Sequence, residues 1–202
     1  MRRRPAGALD ERSDADLVAA ARGGDDSAAE VIYRRHLDLV AGIAARVLRS
    51  RAEAEDVVQE TFIAVLGHLD AVRDGAALRA YLAQTAVRGC RKRLRRRKIL
   101  TFLSLEAGQE DWGLEVMAHE HVGADVRAEL ALLDRALGTL ATDLRIAWTL
   151  RRVEGLALDE VAAACGCSLA TAKRRIAAGD AHVRGHVRID LDDDGSREEA
   201  AR

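Results

Sequence analysis

The chain has 202 residues, 49% of them hydrophobic and 32% charged, which suits one domain or two small ones and excludes a disordered polypeptide. No apolar run approaches the roughly 20 residues that a membrane-spanning helix needs. The formal net charge of -1 hides a segregation: residues 1–104 carry 20 basic against 14 acidic side chains, 105–125 none against six, 126–189 ten against seven, and 190–202 two against six. Two basic stretches, either able to meet a polyanion, are thus separated by an acidic connector and followed by an acidic tail. Aromatic residues make up only 3%, and Ala, Leu and Val dominate the apolar remainder, so an all-α fold is expected.

The opening "MRRRPAGALDERSDAD" has basic residues with no hydrophobic segment behind them to form a signal peptide, so a cytoplasmic location is expected. Residues 1–13 read as a flexible terminus. A first helix, "DADLVAAAR", stops at Gly23-Gly24. Ser27 to Glu30 has capping-box spacing and opens a long helix in which Ile32, Val40, Ile43 and Val47 recur on one face. A third helix, about Ala52 to Leu69, turns Val58, Phe62, Val65 and Leu69 inward. Its other face carries Asp56, Gln59, Glu60 and Ile63, so the acidic residues form a stripe.

After the turn "DAVRDGAA" comes a fourth helix, about Leu78 to Lys98, with Ala83, Ala86, Val87, Cys90 and Leu94 as its apolar stripe. Its end, "RGCRKRLRRRK", puts eight basic side chains into eleven residues. Cys90 and Leu94 anchor that cluster to a packed scaffold, which argues against a loose targeting tail. Residues 99–125 lose the helical period and all basic charge, and read as an acidic linker. His119 and His121 within it lack further ligands at suitable spacing, so no metal site is expected.

The last basic stretch begins with Leu130, Leu133, Leu137 and Leu140 on one helical face. "TDLRIAWTLRRVE" forms the next helix and ends at Gly155, with Trp148 in the core. A short helix from about Asp159 breaks at Gly166, Ser168 caps a further helix, and Ala172, Ile176 and Val183 give that helix a buried side. This is helix-turn-helix spacing, with small Ala162 allowing close approach. Ala170, Thr171, Arg174 and Arg175 face away from the buried side, with Lys173 at its flank, and suit a DNA major groove. Cys90, Cys165 and Cys167 are odd in number with no CxxC pair, and are expected to be small buried hydrophobes.

Three segments in order resemble the extracytoplasmic-function (ECF) group of bacterial RNA polymerase sigma factors. "DLVAAARGGDDSAAEVIYRRHLDLV" and "AEAEDVVQETFIAVLGHL" are similar to sigma region two, and "LRRVEGLALDEVAAACGCSLATAKRRI" to sigma region four. The resemblance implies two helical domains, residues 14–98 and 126–188, joined by the acidic linker and followed by a tail at 189–202. It implies a transcription initiation factor rather than an enzyme, with no cofactor, whose partners are core RNA polymerase, through its β′ clamp and β flap, promoter DNA, and an anti-sigma factor.

By the same resemblance Glu55, Asp56, Gln59 and Glu60 correspond to the core-polymerase surface. The loop at about 70–77, with Arg73, and the start of the next helix, with Tyr81, correspond to the part that captures an unstacked base of the minus-ten element. Arg88, Arg91, Lys92, Arg95 and Arg96 would hold phosphates of the opening DNA. Ser168, Thr171, Lys173, Arg174 and Arg175 would meet the minus-thirty-five element. Tyr81 stands where the family often has Trp, Arg88 where it commonly has Asn, and Ala172 where Val is usual. The competing reading is a self-sufficient helix-turn-helix regulator that binds DNA without polymerase. A DNA-processing enzyme finds no P-loop, nucleophile elbow or metal-ligand cluster in the sequence.

Overall fold

The computed structural model describes residues 11–72, 75–103 and 124–200, and among them there is no strand. The fold is all-α: α1 (Asp14–Arg22), α2 (Asp26–Leu48), α3 (Arg51–Leu66), α4 (Leu78–Phe102), α5 (Ala124–Thr139), α6 (Thr142–Trp148), α7 (Leu158–Cys165) and α8 (Leu169–Ala200), with 3₁₀ turns at Leu69–Ala71 and Gly75–Ala77. Two compact units result, residues 1–44 with 52–107 and residues 45–51 with 108–202.

In the first unit Ser13 caps α1, its hydroxyl oxygen accepting the Asp16 N–H at 3.2 Å. Arg22, in the last turn of α1, donates to the Leu69 and Val72 carbonyls and so ties α1 to the turn after α3. The cap of α2 is Asp25 rather than Ser27: the Asp25 carboxylate accepts the Ser27 N–H at 3.1 Å, and its carbonyl accepts the Ala28 N–H at 3.0 Å. Asp suits an N-cap as well as Ser does, and Glu30, the expected partner of Ser27, bonds Arg34 one turn on. Ile32, Val40 and Ile43 are buried as their spacing predicts.

α3 buries Ala54, Val57, Thr61, Phe62 and Val65. Val57 therefore replaces Val58 as the inward residue, because the helix starts at Arg51 and its i, i+3, i+4 row runs through Ala54, Val57 and Thr61. Leu69 is buried, but in the 3₁₀ turn beyond the helix end. α4 buries Leu78, Leu82, Ala83, Ala86, Val87 and Cys90. It also runs on past the expected stop through Ile99, Leu100 and Thr101 to Phe102, four residues expected to lie in the linker.

In the second unit Leu137, Leu140 and Trp148 form a core joined by Leu133, Leu144 and Val183; the side chain of Leu130 lies outside the described residues. α6 continues into a π-helical turn, Thr149–Val153, and the chain reverses at Gly155, whose φ of +68° is the left-handed region that glycine adopts without strain. α7 ends in a Schellman arrangement. Gly166 has φ +62°, its N–H bonds the Ala163 carbonyl at 3.1 Å, and the Cys167 N–H bonds Ala162 at 3.0 Å. Ser168 then caps α8, accepting the Thr171 N–H at 3.2 Å, and Ala172 and Ile176 bury against the helices before it. The helix-turn-helix inferred from the spacing is thus formed by α7 and α8.

Cys90 and Cys165 are buried and Cys167 half-buried, all as free thiols. Burial pushes the Cys90 thiol up to about 12.

Candidate nucleic-acid interface

The first candidate surface is built by α3 and α4. A Cβ on Gly89 would stand 3.4 Å from Val57 Cγ1, at ordinary van der Waals distance, so the two helices meet at this point. The order of the ion pairs between them, Arg93 with Glu60 and then Arg97 with Glu53, shows that they run antiparallel. Glu55, Asp56, Gln59, Glu60 and Ile63 lie exposed on α3, as the stripe predicts. On α4, Arg88, Lys92, Arg95, Arg96 and Lys98 are exposed, while Tyr81 and Arg91 are half-buried. Arg88, Lys92 and Arg95 line an open groove of about 360 Å³ between the two helices, with Glu60, Thr61 and Thr85 as its other polar lining. Arg73 lies outside the described residues.

Arg93 and Arg97 do not join this exposed set. Arg93 makes two parallel bonds of 2.9 Å to the two oxygens of Glu60 and lies 3.6 Å from Asp56, and Arg97 bonds Glu53. The Arg93 fork holds the Glu60 carboxyl below the usual carboxylate range, and the same bonds raise the Arg93 guanidinium. Sequence alone missed this partnership: the two residues are 33 positions apart. The available signal was opposite charge on two consecutive helices.

The second candidate surface is the start of α8. Ser168 Oγ and Thr171 Oγ1 are 3.0 Å apart, so both hydroxyls cluster at the helix N-terminus. Lys173 and Arg174 are exposed beside them. Arg175 points elsewhere: it is half-buried and donates to Asp143 Oδ2 at 2.6 Å, bracing α8 on α6. A further brace, unforeseen from the sequence, is Asp180, which accepts the Trp148 indole N–H at 3.1 Å and Arg152 Nε at 2.9 Å. The Arg152 bonds come first among the causes that depress the Asp180 carboxyl.

The predicted residues therefore gather into an acidic face and a basic groove in one unit, and a hydroxyl- and cation-bearing helix end in the other. Such surfaces bind protein and polyanion. Among the described residues no group of three or more His, Cys, Asp or Glu side chains is arranged for a metal, and no helix is long and apolar enough to cross a membrane.

Comparison with known proteins identifies the family and the fold. Residues 32–99 fit the family model of Sigma-70 region 2, and residues 130–179 that of Sigma-70, region 4. The ECF RNA polymerase sigma-E factor of Haemophilus influenzae is 29% identical over 174 residues, which cover 83% of this chain and 91% of the relative. The sigma-E factor of Escherichia coli K12 is likewise 29% identical, over 83% of this chain and 90% of its own. A solved structure of CnrH in complex with the cytosolic domain of CnrY aligns with a TM-score of 0.65 and 25% identity, covering 89% of this chain and 99% of CnrH. The sigma factor RpoE of Bartonella quintana, solved with the anti-sigma factor NepR, has the same fold at a TM-score of 0.63 and 22% identity, over 76% of this chain and 92% of that one. With both regions matched in order and the relatives covered almost end to end, the chain belongs to the ECF group of bacterial RNA polymerase sigma factors, the transcription initiation factors that bind RNA polymerase.

Proposed function

We propose that the two faces of the α3–α4 pair divide the work of initiation. The acidic face, Glu55, Asp56, Gln59 and Glu60, docks on a basic helix of the polymerase β′ clamp. The basic groove, with Arg88, Lys92 and Arg95, and the neighbouring Arg91 and Arg96 hold phosphates of the opening minus-ten DNA, with Arg73 and Tyr81 at the base-capturing loop. The start of α8 reads the minus-thirty-five element: Lys173 and Thr171 hold phosphates and Arg174 contacts a base, while Ser168 orders the helix end and Arg175 sets its angle. Bond formation belongs to the polymerase, so the chain works by binding, in the cytoplasm, as no enzyme.

The observation that carries this reading is the exposed carboxylate stripe on α3, 57% exposed at Glu60 and 65% at Asp56. A surface so acidic repels DNA, so a protein partner explains it. Both solved neighbours were determined in complex with another protein, in one case an anti-sigma factor, which supports an anti-sigma restraint on this chain as well. Run-off transcription with core polymerase on a promoter library tests the proposal. Initiation that depends on the chain supports it; specific DNA binding without core polymerase, and no stimulation of it, points to a self-sufficient regulator.

A further inference from the structure

We propose that Arg93 is a positioning residue for core-polymerase binding, although its place in the basic run suggests a DNA contact; this rests on the reading of the α3 stripe as the docking face. Of the eight basic residues in the run, Arg93 has a side chain only 13% exposed, against 57% for Glu60 and 65% for Asp56, the acids it meets. A guanidinium so shielded is poorly disposed toward a phosphate backbone. Instead its fork bonds both oxygens of Glu60 at 2.9 Å and reaches toward Asp56 at 3.6 Å.

Gly89 packs against Val57, and because the helices are antiparallel Arg93 and Glu60 lie on opposite sides of that contact, so the long arginine side chain reaches back along α3 to meet its carboxylate. An exposed glutamate on a helix otherwise samples many rotamers, and ordering it at the moment of docking has an entropic cost. The planar fork removes that freedom in advance, and each carboxylate oxygen keeps a second lone pair open toward a cation on the polymerase. Lysine, a single point charge on a flexible stem, cannot reproduce the arrangement.

Positioning and charge make opposite predictions, which renders the role measurable. Arg93→Met leaves the stripe more negative, so encounter with a basic partner at low salt should be as fast as in the parent or faster. Loss of order should appear in the dissociation rate, about tenfold faster, with a net loss of affinity. The test is association and dissociation kinetics of the full-length chain with core polymerase over a range of salt, alongside the salt slope of holoenzyme on promoter DNA. Arg93→Lys should fall between parent and Arg93→Met, and in a Glu60→Gln background Arg93→Met should add little. The promoter salt slope should not move. Tighter core binding by Arg93→Met would reduce Arg93 to a screen and overturn the proposal. So would unchanged core kinetics with a slope lowered by about one unit, which would return Arg93 to the residues that hold phosphate. If Asp56→Arg is equally silent toward core polymerase, the docking face itself has been misassigned; sensitivity to Asp56→Arg with indifference to Arg93→Met sinks only the role of Arg93.

Discussion

The Cβ that Gly179 lacks would stand 2.8 Å from Cδ1 and 3.0 Å from Cβ of Trp148. α8 therefore lies on the indole at a distance only glycine permits. Because Trp148 Cβ is attached to backbone, it cannot swing aside as a flexible side-chain tip would. Gly179→Ala should destabilise the second unit by about 1–3 kcal/mol, the usual range for overpacking. Urea titration followed by tryptophan fluorescence checks this. An unchanged midpoint would mean that α8 slides on Trp148 without loss.

Asp56→Arg should weaken core-polymerase association by orders of magnitude, since like charges brought together in an interface cost several kcal/mol. The side chain is 65% exposed, so the thermal melt should barely move. A pull-down with core polymerase and a circular-dichroism melt on the same preparation separate the two effects.

Much of this was legible in the sequence, for reasons that differ by residue. The carboxylates at 56 and 60 share a face through helical spacing alone. Gly166 and Ser168 announced the turn and cap because few residues serve at those backbone positions. Asp25 and Ser27 are both good caps two residues apart, so the choice between them had to wait for the fold. The run around Arg93 shows charge but no direction, since which of its cations turn inward depends on the crossing of α3 and α4 at Gly89. The lysine-arginine triplet at 173–175 hid Asp143 in the same way.

Neutralising Lys92, Arg95 and Arg96 together should flatten the salt dependence of promoter binding by the holoenzyme, by roughly one unit of log–log slope for each phosphate left without its cation. All three are exposed, and Arg97 is left out because Glu53 holds it. Core-polymerase affinity should survive. Filter binding at several salt concentrations gives the slope, and no change would mark the cluster as a merely solvated surface.

Arg174→Ala should relax preference at one minus-thirty-five position and cost about 1–3 kcal/mol on the preferred sequence. Run-off assays on single-base promoter variants read this out. A uniform loss on all of them would identify a phosphate contact instead.

His36 supplies a pH prediction. It is 5% exposed, its Nε2 lies 2.9 Å from Asp14 Oδ2, and burial holds its pKa below the ordinary 6.5, outweighing Asp14; Arg35 and Arg79 lower it further. As pH falls through about 6.5 the unfolded chain takes up a proton that the folded chain refuses, so stability should decline below that point and level off once the folded pKa is passed. Urea midpoints of the parent and His36→Gln across pH 5 to 8 should diverge on the acid side. Parallel curves would show that His36 titrates alike in both states.

On the proposed reading of α8, the bond from Arg175 to Asp143 also limits how much the protein can spell. With one arginine of the triplet held by Asp143 and the Ser168 hydroxyl engaged at the helix cap, the word such a helix would recognise is short. Any short word recurs throughout a genome by chance. A second word, read by separate side chains, narrows the field because the odds of the two multiply. On that reading, the bond that braces α8 gives the promoter a reason to be an address in two parts.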